Sequence, residues 1–279
     1  MKWSKKGLIY NSFHSQLPII QKHGDCYKCY LTPRNENNQS YIRQINFKLN
    51  PLVVEDCGCV LEPSHHFDCD GTMTSCVVQS NQQEYLYYTG WRKLDSPFYQ
   101  HNICLAIDFE KLTEPVIKSN ASDFGICSSP FIMIESKWRM WFISGNNGDG
   151  WVENRGVLSP TYTIHYAESN DGIEWIRSKV NFHREHREIF SRPFVFKEDG
   201  IYKMLYSKMI MDDKKRYDIG YAESKDGISW KRLDAEAGIK PSGEGWDSDS
   251  VAFPWIIDNY LFYAGNDFGK GGFGYAERI

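Results

Sequence analysis

The sequence predicts an all-β fold, a five-bladed β-propeller with four antiparallel strands in each blade. The segment Tyr166–Trp175 (YAESNDGIEW) recurs as Tyr221–Trp230 (YAESKDGISW), and a third copy begins at Tyr275, so the copies start 55 and then 54 residues apart. A fixed period of this size indicates stacked or radially repeated units. Asp-Gly between an apolar run and a Trp is typical of a β-hairpin. About five such units fit the chain, so we expect one propeller domain over residues 1–279 and no second domain.

Five short apolar segments mark the innermost strand of each blade. Four of them begin with a residue followed by proline, which a strand tolerates at its first position. The inner strands are predicted at Leu17–Ile20, Met73–Val78, Ser129–Met133, Arg192–Phe196 and Phe253–Ile257. The second strands are predicted at Cys26–Leu31, Glu84–Tyr88, Trp138–Ile143, Ile201–Tyr206 and Tyr260–Tyr263. The third strands are predicted at Tyr41–Phe47, Ile103–Phe109, Thr163–Ala167, Asp218–Ala222 and Gly272–Ala276.

The outer strands are less clearly marked, as expected at the edge of a sheet. The sequence ends just after the third strand of the fifth blade, so that blade lacks an outer strand of its own. The apolar segment Gly7–Tyr10 at the start of the chain is suited to that place. We therefore expect it to pair with Gly272–Ala276 and to close the ring.

Composition and charge exclude several classes of protein. The net charge of −4 and the pI near 6.1 argue against a nucleic-acid-binding surface. No apolar run reaches the roughly 18 residues of a membrane span, and the first residues lack the apolar core of a signal peptide. We expect a cytoplasmic protein. Aromatic residues make up 15% of the chain, enough to fill the gaps between twisted sheets.

All eight cysteines lie in the first half of the chain. Their uneven placement and the expected location favour free thiols over a disulfide framework. Cys26 and Cys29 have the spacing of a zinc or redox pair, but strand alternation directs their side chains to opposite faces. We therefore predict no metal site, and nothing in the sequence indicates a cofactor.

The predicted strand order also shows which loops meet. In an up-and-down blade, the segment that leads into the first strand and the loop between the second and third strands emerge on the same face, around the central channel. Carboxylates, arginines and tryptophans around such a mouth are suited to sugar binding. The side chains expected there include His14, Asp68, Asp70, Asp123, Asp247, Asp249, Arg34, Arg92, Arg192, Trp91 and Trp151.

The repeat, together with proline at the strand starts, resembles the five-bladed propeller glycosidase superfamily of arabinanases, xylosidases and invertase-like enzymes. More narrowly, the sequence is similar to a branch associated with cell-surface polysaccharide biosynthesis. The matching segments are His14–Pro18, Phe67–Met73, Gly90–Trp91, Arg139–Trp141, Arg192–Pro193, Trp246–Ser248 and Gly272–Ala276. The resemblance implies the propeller fold and activity on a glycosidic or sugar-phosphate linkage.

The sequence departs from the hydrolases at their catalytic positions. Those families carry an Asp in the first blade, an Asp in the third and a Glu in the fourth, each beside a strand start. The comparable residues here are Gln16, Ser129 and Ser191, which cannot ionise as carboxylates do. Asp70 and Asp249 lie a few residues before their strand starts, so a displaced carboxylate pair is one hypothesis.

The sequence yields a set of candidate site residues and a structural alternative for several of them. The catalytic candidates are Asp70, Asp249, His14 and Glu153. The substrate-binding candidates are Gln16, Arg34, Asp68, Trp91, Arg92, Asp123, Trp151, Arg155, Arg192, Asp247 and Asn266. The alternative for the aspartates before the strand starts is capping of turns, and for Arg192 it is a salt bridge to a neighbouring blade.

The segment Gly145–Pro160 is about sixteen residues long, far longer than an ordinary hairpin connection. It carries Trp151, Glu153 and Arg155, and we expect it to fold over the mouth of the channel.

Two functions are open at this point. One is a glycoside-hydrolase-like or nucleotide-sugar-processing enzyme, whose ligand is a small molecule or oligosaccharide. The arginines favour an anionic or nucleotide-activated sugar of surface-glycan metabolism. The other is a catalytically silent sugar-binding propeller, favoured by the missing acids. The sequence gives no indication of oligomeric state.

Overall fold

The computed structural model describes residues 1–12, 16–154, 156–211 and 216–279. Within these ranges the chain forms five four-stranded antiparallel sheets and one additional two-stranded hairpin. The sheets are the blades of a five-bladed β-propeller, which confirms the predicted fold. Helix in the same ranges is confined to four short turns at Ala121–Asp123, Asp234–Glu236, Gly245–Asp247 and Asn266–Gly269.

Each blade runs from an innermost to an outermost strand in chain order, except that the fifth blade takes its outer strand from the start of the chain, β1 (Trp3–Tyr10). Blade 1 contains β2 (Ile19–His23), β3 (Cys26–Leu31), β4 (Ile42–Leu49) and β5 (Leu52–Leu61). Blade 2 contains β6 (Gly71–Ser80), β7 (Gln83–Lys93), β8 (Tyr99–Ile107) and β9 (Glu110–Lys111). Blade 3 contains β10 (Cys127–Ile134), β11 (Trp138–Ser144), β14 (Thr163–Ser169) and β15 (Ile176–Ser178), with the hairpin β12 (Trp151–Asn154) and β13 (Val157–Pro160) inserted after β11. Blade 4 contains β16 (Glu188–Glu198), β17 (Ile201–Ile210), β18 (Asp218–Ser224) and β19 (Lys231–Arg232). Blade 5 contains β20 (Val251–Ile257), β21 (Tyr260–Gly265) and β22 (Phe273–Arg278), followed by β1.

The two ends of the chain close the ring. Strand β1 pairs antiparallel with β22, with Trp3 opposite Arg278 and Leu8 opposite Gly274. This confirms the predicted closure, although the closing strand begins at Trp3 and is therefore longer than the segment expected from its apolar residues alone. The strand starts with Trp3, ahead of a short polar run. Trp3 packs inward beside blade 4 and donates its indole N–H to the Ala237 carbonyl at 3.0 Å.

The repeated Asp-Gly segments form matching hairpin turns. The carboxylates of Asp171 and Asp226 each accept two backbone N–H bonds at 2.8–2.9 Å from the second and third residues that follow. These bonds confirm that both aspartates are turn residues. The same turns also hold neighbouring blades together, because the indole of Trp141 in blade 3 donates to the Gly227 carbonyl in blade 4 at 2.8 Å.

The inner strands begin with an irregularity that recurs around the ring. The residue before each strand-start proline has a positive φ: Leu17 (55°), Ser129 (52°), Arg192 (52°) and Phe253 (58°). The register of blades 3, 4 and 5 shifts at the same place, as in a β-bulge. Bulges redirect side chains, and left-handed backbone at non-glycine residues is unfavourable by about 1 kcal/mol or more. The strained positions therefore lie together where the inner strands converge.

Beyond these bulges the channel is filled by aromatic side chains. The rings of Phe131, Phe194 and Trp255, from blades 3, 4 and 5, lie 4.9–5.7 Å apart between centroids. Trp255 also donates its indole N–H to the Ile20 carbonyl of blade 1 at 2.7 Å. A ligand can therefore enter the channel near the strand starts but is blocked further in.

The eight cysteines are all free thiols in the structure, as the sequence predicts. In the described ranges, no cluster of three or more His, Cys, Asp or Glu side chains is placed to hold a metal ion. Nor does any helix in the described part of the chain have the length and hydrophobicity needed to cross a membrane.

Candidate functional site

A pocket of about 330 Å³ lies where the inner strands begin, and we call it the central pocket. Residues from all five blades line it, which places it at the mouth of the channel, the region that the loop arrangement predicts for a ligand site. Its lining residues are Gln16, Leu17, Arg34, Met73, Tyr99, His101, Ile126, Ser128, Ser129, Ile143, Tyr162, Ser191, Tyr217, Phe253, Asp267, Phe268 and Lys270.

The three residues that replace the expected hydrolase acids all face this pocket. Gln16, Ser129 and Ser191 belong to its lining. Among the described lining residues, Asp267 is the single carboxylate, and it lies in the loop between β21 and β22 with a positive φ of 44°. The pocket therefore brings together the three positions at which the resemblance implies acids, but its described lining lacks a pair of carboxylates.

Two cations line the central pocket without forming an ion pair to a described carboxylate. Arg34 donates to the Asn38 carbonyl at 2.9 Å, and its guanidinium lies 5.2 Å from the centre of the Trp91 ring. Burial lowers the pKa of Arg34 below its ordinary value, yet arginine stays charged at neutral pH. Lys270 is exposed and forms no ion pair with the described residues. Both groups have donors available to a ligand.

Apart from Asp267, the rest of the described wall is uncharged at neutral pH, and it combines aromatic, aliphatic and hydroxyl side chains. Tyr162 and Tyr217 are joined by a hydrogen bond of 2.9 Å between their hydroxyls, and burial raises the pKa of Tyr217 to about 12. Burial, assisted by the positive charge of Arg34, lowers the pKa of His101 to about 3, so its imidazole is neutral. With Arg34, Lys270 and Asp267 charged, the described lining carries a net positive charge.

A second pocket of about 460 Å³ adjoins the first, and we call it the outer pocket. Arg34, Met73, Tyr99 and His101 line both, so the two form one continuous depression. The remaining lining residues of the outer pocket are Asn38, Trp91, Lys93, Leu94, Ser96, Pro97 and Phe98.

Three aspartates that were candidates for substrate binding are buried in ion pairs instead. Each lies in the segment that leads into an inner strand, and each bonds to a cation on the outer strand of the same blade. The pairs are Asp68 with Lys111 at 2.7 Å, Asp123 with Arg177 at 2.8 Å, and Asp247 with Lys5 at 2.6 Å. Asp68 also accepts backbone N–H bonds from Ser64 and His65, as the turn-capping alternative expects.

The displaced carboxylate pair is not brought into the central pocket. Asp70 accepts the backbone N–H of Lys93, the last residue of β7, at 2.7 Å and lines neither pocket. Asp249 is exposed, pairs with Arg216 at 3.0 Å, and lines a separate surface pocket of about 720 Å³ beside blades 4 and 5. The two aspartates therefore do not line a common pocket in which both could contact one ligand.

Arg192 is buried in the channel rather than exposed to a ligand. Its guanidinium donates to the main-chain carbonyls of Thr74 and, at 3.4 Å, of Leu17, and so links blade 4 to blades 2 and 1. Burial lowers its pKa to about 9, and no described carboxylate pairs with it. Arg192 therefore forms neither the ligand contact nor the salt bridge that the sequence suggested.

Arg92 and Asn266 also have partners within the fold. Arg92 donates to the Gln100 side chain at 2.9 Å. The Asn266 side-chain oxygen accepts the backbone N–H groups of Asp249 and Ser250 at 2.8 and 3.1 Å. Neither lines the central pocket.

The long third-blade segment forms the hairpin β12–β13 beside the site. Trp151 packs edge-on against Phe98 and Tyr99, at 5.1 and 4.9 Å between ring centroids. Glu153 is exposed and does not line either pocket. His14 and Arg155, two further candidates, lie outside the described residues.

The main site residues that the sequence did not predict are the tyrosines in the wall of the central pocket. Tyr99 is the first residue of β8, Tyr162 directly precedes β14, and Tyr217 directly precedes β18. A tyrosine thus recurs at the start of the third strand in blades 2, 3 and 4. Since that end of the strand faces the mouth, aligning the third strands would have identified these residues.

No protein-family model matches the sequence. An uncharacterised protein of Mycobacterium tuberculosis, Rv1502, is 28% identical over 304 aligned positions, covering 99% of each protein. The likeness extends over the whole propeller and gives no activity to compare.

Several solved structures with a similar fold are glycoside hydrolases. One glycoside hydrolase superposes with a TM-score of 0.76 at 15% identity, covering 98% of this protein and 90% of the other. A thermostable family-43 glycoside hydrolase gives 0.67 at 15% identity, covering 95% and 88%. The GH32 β-fructofuranosidase of Bombyx mori gives 0.65 at 14% identity, covering 99% and 61%. At such low identity the likeness shows that the protein shares the five-bladed propeller fold of GH43 and GH32 glycoside hydrolases.

Proposed function

We propose that the protein is a carbohydrate-active propeller that binds an anionic sugar in the central pocket. The observation that carries this proposal is the pair of cations, Arg34 and Lys270, facing a pocket whose described wall is otherwise uncharged apart from Asp267. The position of the pocket, at the mouth of a fold shared with glycoside hydrolases, supports a sugar as the ligand.

The chemistry of the lining suits a sugar that carries a carboxylate or phosphate. The guanidinium of Arg34 retains donors that can form two parallel bonds to such a group. Tyr99 and Phe268 offer apolar surface to the C–H face of a sugar ring, while the hydroxyls of Ser129 and Ser191 can bond to its hydroxyl groups.

The described lining agrees better with sugar binding alone than with hydrolysis by a pair of carboxylates. Retaining and inverting glycosidases both use two carboxyl groups, about 5–5.5 or 6.5–9.5 Å apart. In the central pocket Asp267 has no carboxylate partner among the described lining residues. We therefore place the sugar-binding function first.

An enzyme that uses Asp267 as its acid or base is the second candidate. Asp267 and its neighbour Phe268 both have positive φ, 44° and 62°, and strain of this kind is concentrated at functional sites. Lys270 lies three residues further on in the same pocket, where its charge could stabilise an ionised Asp267 or a leaving group.

Calorimetry with glucuronic acid, glucose 1-phosphate and glucose tests the proposal. We expect the anionic sugars to bind more tightly than glucose, and Arg34→Gln to weaken their binding by about ten-fold or more, since a charge-assisted bond contributes about 1.5–3 kcal/mol. Arg92→Gln is the matched control because Arg92 lies outside both pockets. Tighter binding of glucose, or equal losses for the two variants, would contradict the proposal.

Asp267→Asn separates the two candidates. If the protein only binds, the variant retains affinity for the anionic sugar and no turnover of aryl glycosides is detected in either form. If Asp267 is catalytic, the unaltered protein releases the aryl group and the variant loses that release while binding persists.

A further inference from the structure

We propose that the outer pocket holds an apolar group joined through an anionic linkage to the sugar in the central pocket. This inference rests on the proposed function and names the class of ligand, a glycoconjugate with an apolar aglycone. Its basis is the composition of the outer pocket and its continuity with the central one.

The continuity comes from shared side chains. Arg34, Met73, Tyr99 and His101 line both pockets, so a ligand can extend from one into the other without leaving the surface. The outer pocket, at about 460 Å³, is larger than the central one, at about 330 Å³. Each is large enough for a separate part of one ligand.

The outer pocket differs from the central pocket in its chemistry. Leu94 and Phe98 are two exposed large apolar side chains, at 46% and 40%, and both line it together with Trp91 and Pro97. No carboxylate occurs among its lining residues, all of which are described. Exposed apolar groups gathered in a concave site are typical of ligand recognition. An apolar group placed here would cover Leu94 and Phe98.

Arg34 occupies the junction between the two pockets. Its guanidinium is positioned over the Trp91 ring at 5.2 Å and pairs with no described carboxylate. A phosphate diester between a sugar and an aglycone would place its negative charge at this position. The sugar would then lie on the Lys270 side and the apolar group on the Phe98 side.

The apolar character can be tested with 1-anilinonaphthalene-8-sulfonate, an aromatic anion whose fluorescence rises in apolar sites. We expect saturable binding, weakened about ten-fold in Leu94→Ser and in Phe98→Ser. Ile176→Ser is the control, because Ile176 is 74% exposed on β15 and outside both pockets. Circular dichroism verifies that each variant is folded. Unchanged affinity in both pocket variants, or an equal loss in the control, would overturn the proposal.

A second experiment compares glucose 1-phosphate, its dodecyl phosphodiester and UDP-glucose by calorimetry. We expect the dodecyl phosphodiester to bind about ten-fold more tightly than glucose 1-phosphate, and Leu94→Ser to remove that advantage. A gain for UDP-glucose alone would contradict the apolar aglycone, because the uridine diphosphate adds a second phosphate and a polar nucleoside. If glucose 1-phosphate binds in an Arg34-dependent way but neither conjugate binds more tightly, this inference fails and the proposed function stands. If none of the three binds, both fail.

Discussion

Lys111 donates to the buried carboxylate of Asp68 at 2.7 Å and thereby joins the outermost strand of blade 2 to the segment that enters its innermost strand. Blades 3 and 5 repeat this bond with the pairs already described, and in blade 4 Arg232 bonds to Glu188 at 2.6 Å. A bond from the inner to the outer edge of a blade fixes the lead-in segment, which in turn places the strand starts around the central pocket.

The first prediction is that Lys111→Met lowers the free energy of unfolding by about 3–5 kcal/mol, because Asp68 is left as a buried charge without its cation. Urea denaturation measures the change. Lys118→Met is the control, since Lys118 pairs with Glu114 on the surface with both side chains more than half exposed. We expect the double variant Lys111→Met and Asp68→Asn to recover part of the loss. A Lys111→Met effect no larger than that of Lys118→Met would show that the pair is not structural.

These pairs also show why the sequence predicted the fold better than the site. The 55-residue repeat and the strand-start prolines depend on local backbone geometry, which the order of residues records directly. Asp68 could face either a ligand or Lys111, which lies 43 positions later in the sequence. The choice depends on the direction of a single side chain, and the order of residues does not record that direction. The assignments to surface-glycan metabolism and to the cytoplasm stay predictions from the sequence.

The contrast between Arg34 and Arg192 has the same origin. Both were expected at the mouth from their positions beside the strands. The positive φ of Arg192 and the bulge that follows it direct the guanidinium into the channel, to the Thr74 and Leu17 carbonyls. Sequence spacing does not reveal such a bulge in advance, so one arginine lines the pocket and the other is buried behind it.

The second prediction concerns Arg192. We expect Arg192→Lys to lower the free energy of unfolding by about 1–3 kcal/mol, because a single ammonium replaces the planar fork and leaves a buried carbonyl without its donor. Its effect on binding of glucose 1-phosphate should be smaller than that of Arg34→Lys. Denaturation and calorimetry on both variants measure these quantities. If Arg192→Lys weakens binding more than Arg34→Lys does, Arg192 contacts the ligand.

The third prediction concerns the thiols. Cys29, Cys76, Cys104 and Cys127 are buried, and burial raises the pKa of Cys76 to about 12. With Ellman's reagent at about pH 8.5, near the ordinary thiol pKa, we expect only the accessible thiols to react in the folded protein, which are Cys26, Cys57, Cys59 and Cys69. Denaturation without reductant should raise the count to eight. A total well below eight would show that disulfides are present.

The fourth prediction concerns acid sensitivity. The ordinary histidine pKa is 6.5, whereas that of His101 is about 3 in the folded protein. Between these values the unfolded state takes up a proton that the folded state does not, so stability falls as the pH decreases from about 6.5 towards 3. We expect the melting temperature of His101→Gln to fall less over this pH range than that of the unaltered protein. Parallel melting curves from about pH 7 to about pH 4 would contradict the low pKa.

The last prediction concerns the hairpin β12–β13, which is inserted in blade 3 as a separate two-stranded sheet and contacts Tyr99 of the pocket wall. Trp151 packs on Tyr99, which lines both pockets, and donates its indole N–H to the Phe124 carbonyl at 3.0 Å. Each aromatic pair contributes about 0.5–1.5 kcal/mol beyond burial, so Trp151→Ala should weaken sugar binding roughly three- to ten-fold through a less ordered Tyr99. The melting temperature should change little. Val157→Ala, at an exposed position on β13, is the control and should leave affinity unchanged. If Trp151→Ala binds glucose 1-phosphate as tightly as the unaltered protein, the hairpin does not order the site.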